Sequence, residues 1–231
     1  MKVKPIDPIV IEMAANQPPS RLENKINRAA TALVVWIARH WLAVFNTAWA
    51  LYVLLPFAAP VLMNFGLTTP ARLIYALYSV MCHQLPDHSY FLFGPGLTPN
   101  ASTLEASGMV TQGGLFTERQ FIGNSLIGYK VAICERDVAI YGSVLLAGLL
   151  FAVVRPRLSA LPLRWYLLLL LPIAIDGGSQ LFGLRESNWW LRTLTGALFG
   201  VASVWLAYPY IEDAMQDVLV TEEQRQKTVA A

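Results

Sequence analysis

Charge is what this sequence has least of. Lysine, arginine, aspartate and glutamate make up 14% of its 231 residues, against about 25% in an ordinary soluble domain. With 55% hydrophobic residues and a mean hydropathy of +0.47, that shortage excludes a water-soluble domain and defines an integral membrane protein. A net charge of +2 is too small to hold a polyanion, so no nucleic acid is expected as a partner. Only two cysteines occur, Cys82 and Cys134, which excludes a disulfide scaffold and leaves room for one bridge at most. No Cys-x-x-Cys or His-Glu-x-x-His spacing is present, so no standard metal motif exists. Residues 1–28 lack the basic start and apolar core of a signal peptide. With Pro5, Pro8, Pro18 and Pro19 they read as a retained, poorly ordered polar tail. No internal repeat is evident.

What the chain has instead is a series of apolar segments between residues 29 and 210, read as a single transmembrane helical domain. The first runs over 29–64, cleanest from Trp41, with Pro56 and Pro60 as kinks that neighbouring groups must satisfy. The second opens at Thr68-Thr69-Pro70 and closes at Gln84. It is short for a span of about 30 Å, so it is either a tilted crossing or one limb of a re-entrant pair, with Ser89–Phe93 returning. Residues 94–133 form the one long loop, punctuated by Gly94-Pro95-Gly96 and Gly113-Gly114. Further segments cover 138–154, 163–181 and 189–210, and residues 211–231 read as a helical polar tail. Gly196 and Gly200 form a small-xxx-small pair, which predicts close helix packing. The fold expected is all-α, an integral membrane helix bundle of about five transmembrane helices with one long loop.

Each polar motif stands at the end of an apolar segment. Cys82-His83-Gln84 closes the second, and Cys134-Glu135-Arg136-Asp137 opens the third. Asp176-Gly177-Gly178-Ser179-Gln180 closes the fourth, and Glu186-Ser187-Asn188 with Arg192 opens the fifth. Segment parity puts all four on one membrane side, with Arg155, Arg157 and Arg164 on the other. Three arginines in a short loop place that loop inside the cell and the motifs on the extracytoplasmic side. Arg21, Lys25, Arg28 and Arg39 argue for a cytoplasmic N-terminus, and a re-entrant second segment reconciles the two.

The residue types then suggest a site. Asp176 and Gln180 share a helix face at i, i+4. A carboxylate within an apolar helix requires a partner, so Asp176 is expected within about 4 Å of Arg136 or Arg192. Asp137 suits the positive end of a helix, whereas Arg136 there calls for a carboxylate or an anionic ligand. Glu135 and Glu186 are expected to point to the headgroups. Candidate ligand-binding residues are His83, Gln84, Arg136, Asp137, Asp176, Gln180, Asn188 and Arg192. Cys82, His83 and Cys134 are candidates for a disulfide or a metal.

Taken together, Cys82-His83-Gln84, Cys134-x-Arg136 with Tyr141-Gly142, Ile175-Asp176-Gly177 with Gln180, and Ser187-Asn188-x-x-x-Arg192 with Gly196 resemble a known pattern. It is that of the prokaryotic multi-span membrane proteins catalogued as domain of unknown function 2085. The resemblance covers about residues 70–200. Where that pattern often has a basic residue after the His-Gln-x-Pro turn, this chain has Asp87-His88. The resemblance implies a polytopic helical fold and no particular activity. Two functional readings follow from the residues. One is a multi-pass cell-membrane protein that binds or carries an anionic or amphipathic small molecule or lipid. The other is a membrane enzyme or redox protein with a metal or haem held by Cys and His. A structural subunit of the membrane without a site of its own is the third.

Overall fold

The computed structural model describes residues 20–230, and the first nineteen residues of the polar tail lie outside them. The chain is built from helices, in the order α1 (Arg21–Asn64), α2 (Thr68–Tyr78), β1 (Phe91–Leu92), α3 (Ala101–Ala106), α4 (Leu115–Glu118), β2 (Gly123–Asn124), β3 (Gly128–Lys130), α5 (Glu135–Val154), α6 (Leu163–Leu181) and α7 (Trp189–Ala230). Two compact units divide it. One is Leu42–Ala214; the other joins the segment up to Trp41 with that from Met215. The architecture is that of an all-α membrane helix bundle. Helices α1, α5 and α7 are long and apolar enough to cross a membrane. Helix α6 has 19 residues and carries Arg164 and Asp176 within its apolar sequence. On α6, Leu167, Leu168, Leu171 and Ile175 are exposed along one face, as lipid-facing residues are.

Several elements differ from the sequence expectation. Helix α1 is continuous over 44 residues, about 66 Å at 1.5 Å per residue, so residues 29–40 extend the helix. Helix α7 continues through the C-terminal polar stretch to Ala230, as the reading of a helical tail expected. Helix α2 has only 11 residues, about 16 Å, roughly half the hydrocarbon thickness. Cys82-His83-Gln84 lie beyond its end in non-helical chain, so the helical face expected to join Tyr75 and Ser79 to Cys82 or His83 does not extend that far. No returning helix follows: Phe91–Leu92 is a strand that pairs antiparallel with Lys130 and Tyr129, and β2 pairs with the other edge of β3.

Within Leu42–Ala214 the helices pack through small residues and proline-freed carbonyls. A Cβ at Gly200 would clash with the Ser143 hydroxyl and the Ile140 carbonyl, and one at Gly196 would stand 3.1 Å from Ala139 Cβ. Helices α5 and α7 therefore touch backbone to backbone, as the Gly-xxx-Gly spacing predicts. Proline cannot donate to the carbonyl four residues earlier, and here three such carbonyls find other donors. Pro56 frees Tyr52 O, which accepts from the Tyr78 hydroxyl at 2.9 Å. Pro60 frees Pro56 O, which accepts from the Ala132 N–H at 3.3 Å. Pro209 frees Trp205 O, which accepts from the Leu161 N–H at 3.2 Å.

The loop before α5 is held by a buried lysine. Lys130 is completely buried, and its ammonium donates to the carbonyls of Gln84, at 2.7 Å, and Arg119. Gln84 occupies the left-handed region at φ 53°, which is strained for a side chain of its size. Its amide compensates by donating to Tyr75 O and Ala132 O, both at 2.8 Å, and so ties the end of α2 to the strand leading into α5. Burial, and after it the nearby Arg119, push the Lys130 ammonium down from its ordinary 10.5 to about 7. The unfolded chain therefore binds the Lys130 proton where the folded one does not, between about pH 7 and 10. Stability should rise with pH across that window, by up to about 1.4 kcal/mol per unit. Thermal unfolding of the detergent-solubilised protein at pH 6.5 and 8.5 should show a higher Tm at the higher pH. Lys130→Met should flatten the difference, and an unchanged pH response in that variant would refute the assignment.

Candidate functional site

Asp176 is the centre of the polar cluster, 1% exposed near the end of α6. A carboxylate at that depth is tolerable only if both oxygens are fully engaged. Its Oδ2 accepts from Arg136 Nη2 at 2.7 Å. Its Oδ1 accepts from Arg185 Nη2 and from the Ser187 hydroxyl, each at 2.7 Å. The sequence expectation of a guanidinium within about 4 Å is met by Arg136, and Arg192 is engaged elsewhere. Arg136 extends from the first turn of α5 and also donates to Gln180 Oε1 at 3.1 Å. A Cβ at Gly177 would lie 3.6 Å from Arg136 Nη1, an ordinary contact, so the guanidinium passes directly over this glycine.

Arg192 has a separate carboxylate. It is 5% exposed, and its Nη1 donates to Glu135 Oε2 at 3.0 Å. Its Nη2 donates to the Ser187 carbonyl. Glu135 is 1% exposed, so it turns into the bundle and not toward the headgroups. Around the site three guanidiniums, of Arg136, Arg185 and Arg192, meet two carboxylates, of Asp176 and Glu135. Asp87, beside His88 and near Arg192, adds a third carboxylate, so the local charges balance.

These groups border a cavity of about 350 Å³ walled by His83, His88, Cys134, Arg136, Gln180 and Arg192, with Leu85, Leu115 and Leu181 as apolar lining. Within the cluster, Arg136 Nε and Arg192 Nε are buried without a hydrogen-bond acceptor. Gln180 Nε2 lies 2.6 Å from His88 Nε2. Because an amide NH₂ donates, His88 Nε2 is the acceptor and its proton sits on Nδ1, 2.8 Å from Asp87 Oδ1. The His83 ring stands edge-on to His88 with centroids 5.6 Å apart, and its Nδ1 accepts from the Leu85 N–H at 3.1 Å. Protein atoms displace part of its hydration and His88 adds to the effect, pushing the His83 imidazole down to about 4. His83 is therefore neutral at pH 7.

The candidate residues thus divide. His83, Arg136, Gln180 and Arg192 share the cavity, with Asp176 behind Arg136. Gln84 is turned to backbone carbonyls. Asn188 is exposed, and its Oδ1 accepts from the Leu191 N–H at 3.0 Å, so it caps the start of α7. Asp137 joins the cysteines: Cys82, Cys134 and Asp137 present sulfur and carboxylate atoms within 4.8 Å of one another. Both cysteines are free and buried. Arg185, Glu135 and His88 escaped the sequence reading. The only local signal was the grouping of Arg185 with Glu186-Ser187 and of His88 with Asp87 beside motifs already singled out.

Apolar helices, a bundle closed by glycine contacts and buried carboxylates held in ion pairs define a polytopic helical membrane protein. The chain matches the family described as "Predicted membrane protein (DUF2085)" over residues 117–206. It is also 31% identical over 138 residues to an uncharacterized protein of Methanocaldococcus jannaschii, covering 59% of this chain and 67% of that relative. The chain belongs to this family. No solved structure matches it.

The ion pair sets a quantitative expectation. Removing one partner of a buried pair costs about 3–5 kcal/mol because the other is left uncompensated. Arg136→Gln and Asp176→Asn should each lower thermal stability markedly. The double variant should lose less than the sum, with a coupling of about 1–3 kcal/mol. Strictly additive losses in a double-mutant cycle would show that the two side chains do not interact.

Proposed function

We propose that the protein binds, and by that means carries or presents, a small anionic molecule or the anionic head of a lipid in the cavity between α5, α6 and α7. The observation that supports this reading is the convergence of the Arg136 and Arg192 side chains with Gln180 and His83 on one cavity wall. Guanidinium groups suit phosphate and carboxylate oxygens in particular. Asp176 and Glu135 hold these guanidiniums in place from behind, so their donors are preorganised for an anion's oxygens. Leu85, Leu115 and Leu181 offer the same ligand an apolar surface, which favours an amphipathic molecule.

In neutral detergent, millimolar inorganic phosphate should raise the Tm, and a short-chain phosphatidic acid should raise it further at lower concentration. Equal effects of the two would assign the site to a free anion. The Arg136→Gln/Asp176→Asn double variant, which keeps the local charge balance, should lose either response. A response unchanged in that variant, or no response to either compound in the parent, would refute the reading.

The same reading includes an orientation. Four helices of the Leu42–Ala214 unit, α1, α5, α6 and α7, would cross the bilayer, while α2 enters only part of the way. Pairing of Pro56 with Ala132 near the start of α5, and of Asn46 with Gly148 further along it, supports an antiparallel α1 and α5. An even number of crossings puts Arg39 and the Arg155–Arg164 stretch on one side, which the positive-inside rule makes cytoplasmic. The cavity then faces the extracytoplasmic side. Single cysteines at Ser107 and Ser159, in a background without Cys82 and Cys134, should label with an impermeant maleimide from outside and inside respectively. Labelling of both from one side would eliminate this topology.

A further inference from the structure

We infer that Cys82, Cys134 and Asp137 form a binding site for one thiophilic divalent cation of the zinc class, separate from the ion-paired anion cavity. The two sulfurs and a carboxylate oxygen lie within 4.8 Å of one another. A tetrahedral zinc ion with sulfur at about 2.3 Å and oxygen at about 2.0–2.2 Å needs its ligands roughly 3.5–3.8 Å apart. Small rotamer adjustments close the remaining distance. The ligands come from two places that the fold fixes firmly. Cys134 caps α5 and Asp137 lies three residues on, in its first turn, while Cys82 follows α2 and is held by the Gln84 and Lys130 bonds described above.

Three features distinguish this group from two cysteines that merely pack. The Cys134 N–H points at Cys82 Sγ at 3.2 Å, the kind of donor that stabilises a metal-bound thiolate. The site stands at the N-terminus of a 20-residue helix, whose positive end favours the three negative charges that the ligands carry together. No hydrogen bond or ion pair to the Asp137 carboxylate occurs among the described residues, whereas the buried carboxylates of Asp176 and Glu135 are both engaged. Around the sulfurs, Tyr75 and Tyr78 are buried in the same cluster and Tyr52 packs against it, which keeps the thiols dry. The hydrogen bond with Cys82, and after it burial, also raise the Cys134 thiol well above its ordinary range.

The set of His83 with both cysteines, expected from the sequence, is thereby revised: Asp137 takes the third place, and His83 faces His88. With three protein ligands, one coordination position remains for water or an exogenous group. Cys134 also belongs to the wall of the anion cavity, so that position lies next to the bound anion. Binding exchanges two thiol protons for one M²⁺, giving two metal–thiolate bonds and two released protons.

The test is titration of Co²⁺ into the reduced full-length protein in neutral detergent. The expected result is a sulfur-to-cobalt charge-transfer band that saturates at one equivalent and is displaced by Zn²⁺. Cys134→Ser should remove the band. Asp137→Asn, a change at a half-buried surface position that the fold tolerates, should weaken cobalt binding at least tenfold, and Asp137→Cys should restore it. The Arg136→Gln/Asp176→Asn variant should keep the band intact, so a failed anion reading and a failed metal site remain distinguishable. No charge-transfer band in the reduced protein, a band unaffected by Asp137→Asn, or thiols that resist alkylation until a disulfide is reduced would overturn the proposal.

Discussion

The constraint on which the site depends is the burial of the Asp176 carboxylate. An ionised group at that depth costs several kcal/mol unless every lone pair is used, and this one uses three partners from two parts of the chain. Arg136 comes from the start of α5, while Arg185 and Ser187 come from the turn between α6 and α7. Each bond pulls a helix end toward α6. Glu135, adjacent to Arg136, then reaches Arg192 on α7, and a second pair closes the triangle of α5, α6 and α7. The hydrocarbon interior therefore selects the arrangement, because any other register of these helix ends would strand a charge.

That same logic explains how far the sequence could be read. The ends of α6 were legible at 163 and 181, and the start of α7 at 189, because apolar length and terminal polar residues mark them. The small-xxx-small pair at Gly196 and Gly200 was equally clear, since only close approach needs both glycines. Helix α2 was read too long because Ser79-Val-Met-Cys82 continues its apolar character, and composition cannot show that the backbone leaves the helix there. The pairing of charges was only half legible. Depth in an apolar segment shows that Asp176 needs an arginine, but three arginines are near in sequence. The choice of Arg136 and Arg185 over Arg192 is made by geometry across helices. Glu135 was misjudged because a glutamate at a helix start is as well suited to headgroups as to a buried partner.

Residues from one helix end serve two different chemistries. Arg136 and Asp137 are neighbours at the start of α5, yet the helical turn points one toward Gln180 and the cavity and the other toward the cysteines. A soluble protein can place two sites on separate loops. A bilayer allows irregular chain only where protein or water covers it, so polar functions crowd together at the few helix ends available. Lys130, Gln84 and Asn188 belong to the same economy of position. They are polar residues in or beside the motifs whose observed bonds hold the frame in place.

The proline-freed carbonyls bear on how the protein is made. A helix inserted into the bilayer on its own normally arrives with its backbone already satisfied, and association with its neighbours comes later. Helix α1 cannot arrive in that condition. Tyr52 O and Pro56 O wait for the Tyr78 hydroxyl and the Ala132 N–H, groups that leave the ribosome about twenty-five and seventy-five residues afterwards. During synthesis the kinked half of α1 therefore depends on water, lipid headgroups or the insertion machinery until the loop before α5 has been translated. Ordering of α1 is a late event in biogenesis, although α1 is the first of the described helices to emerge.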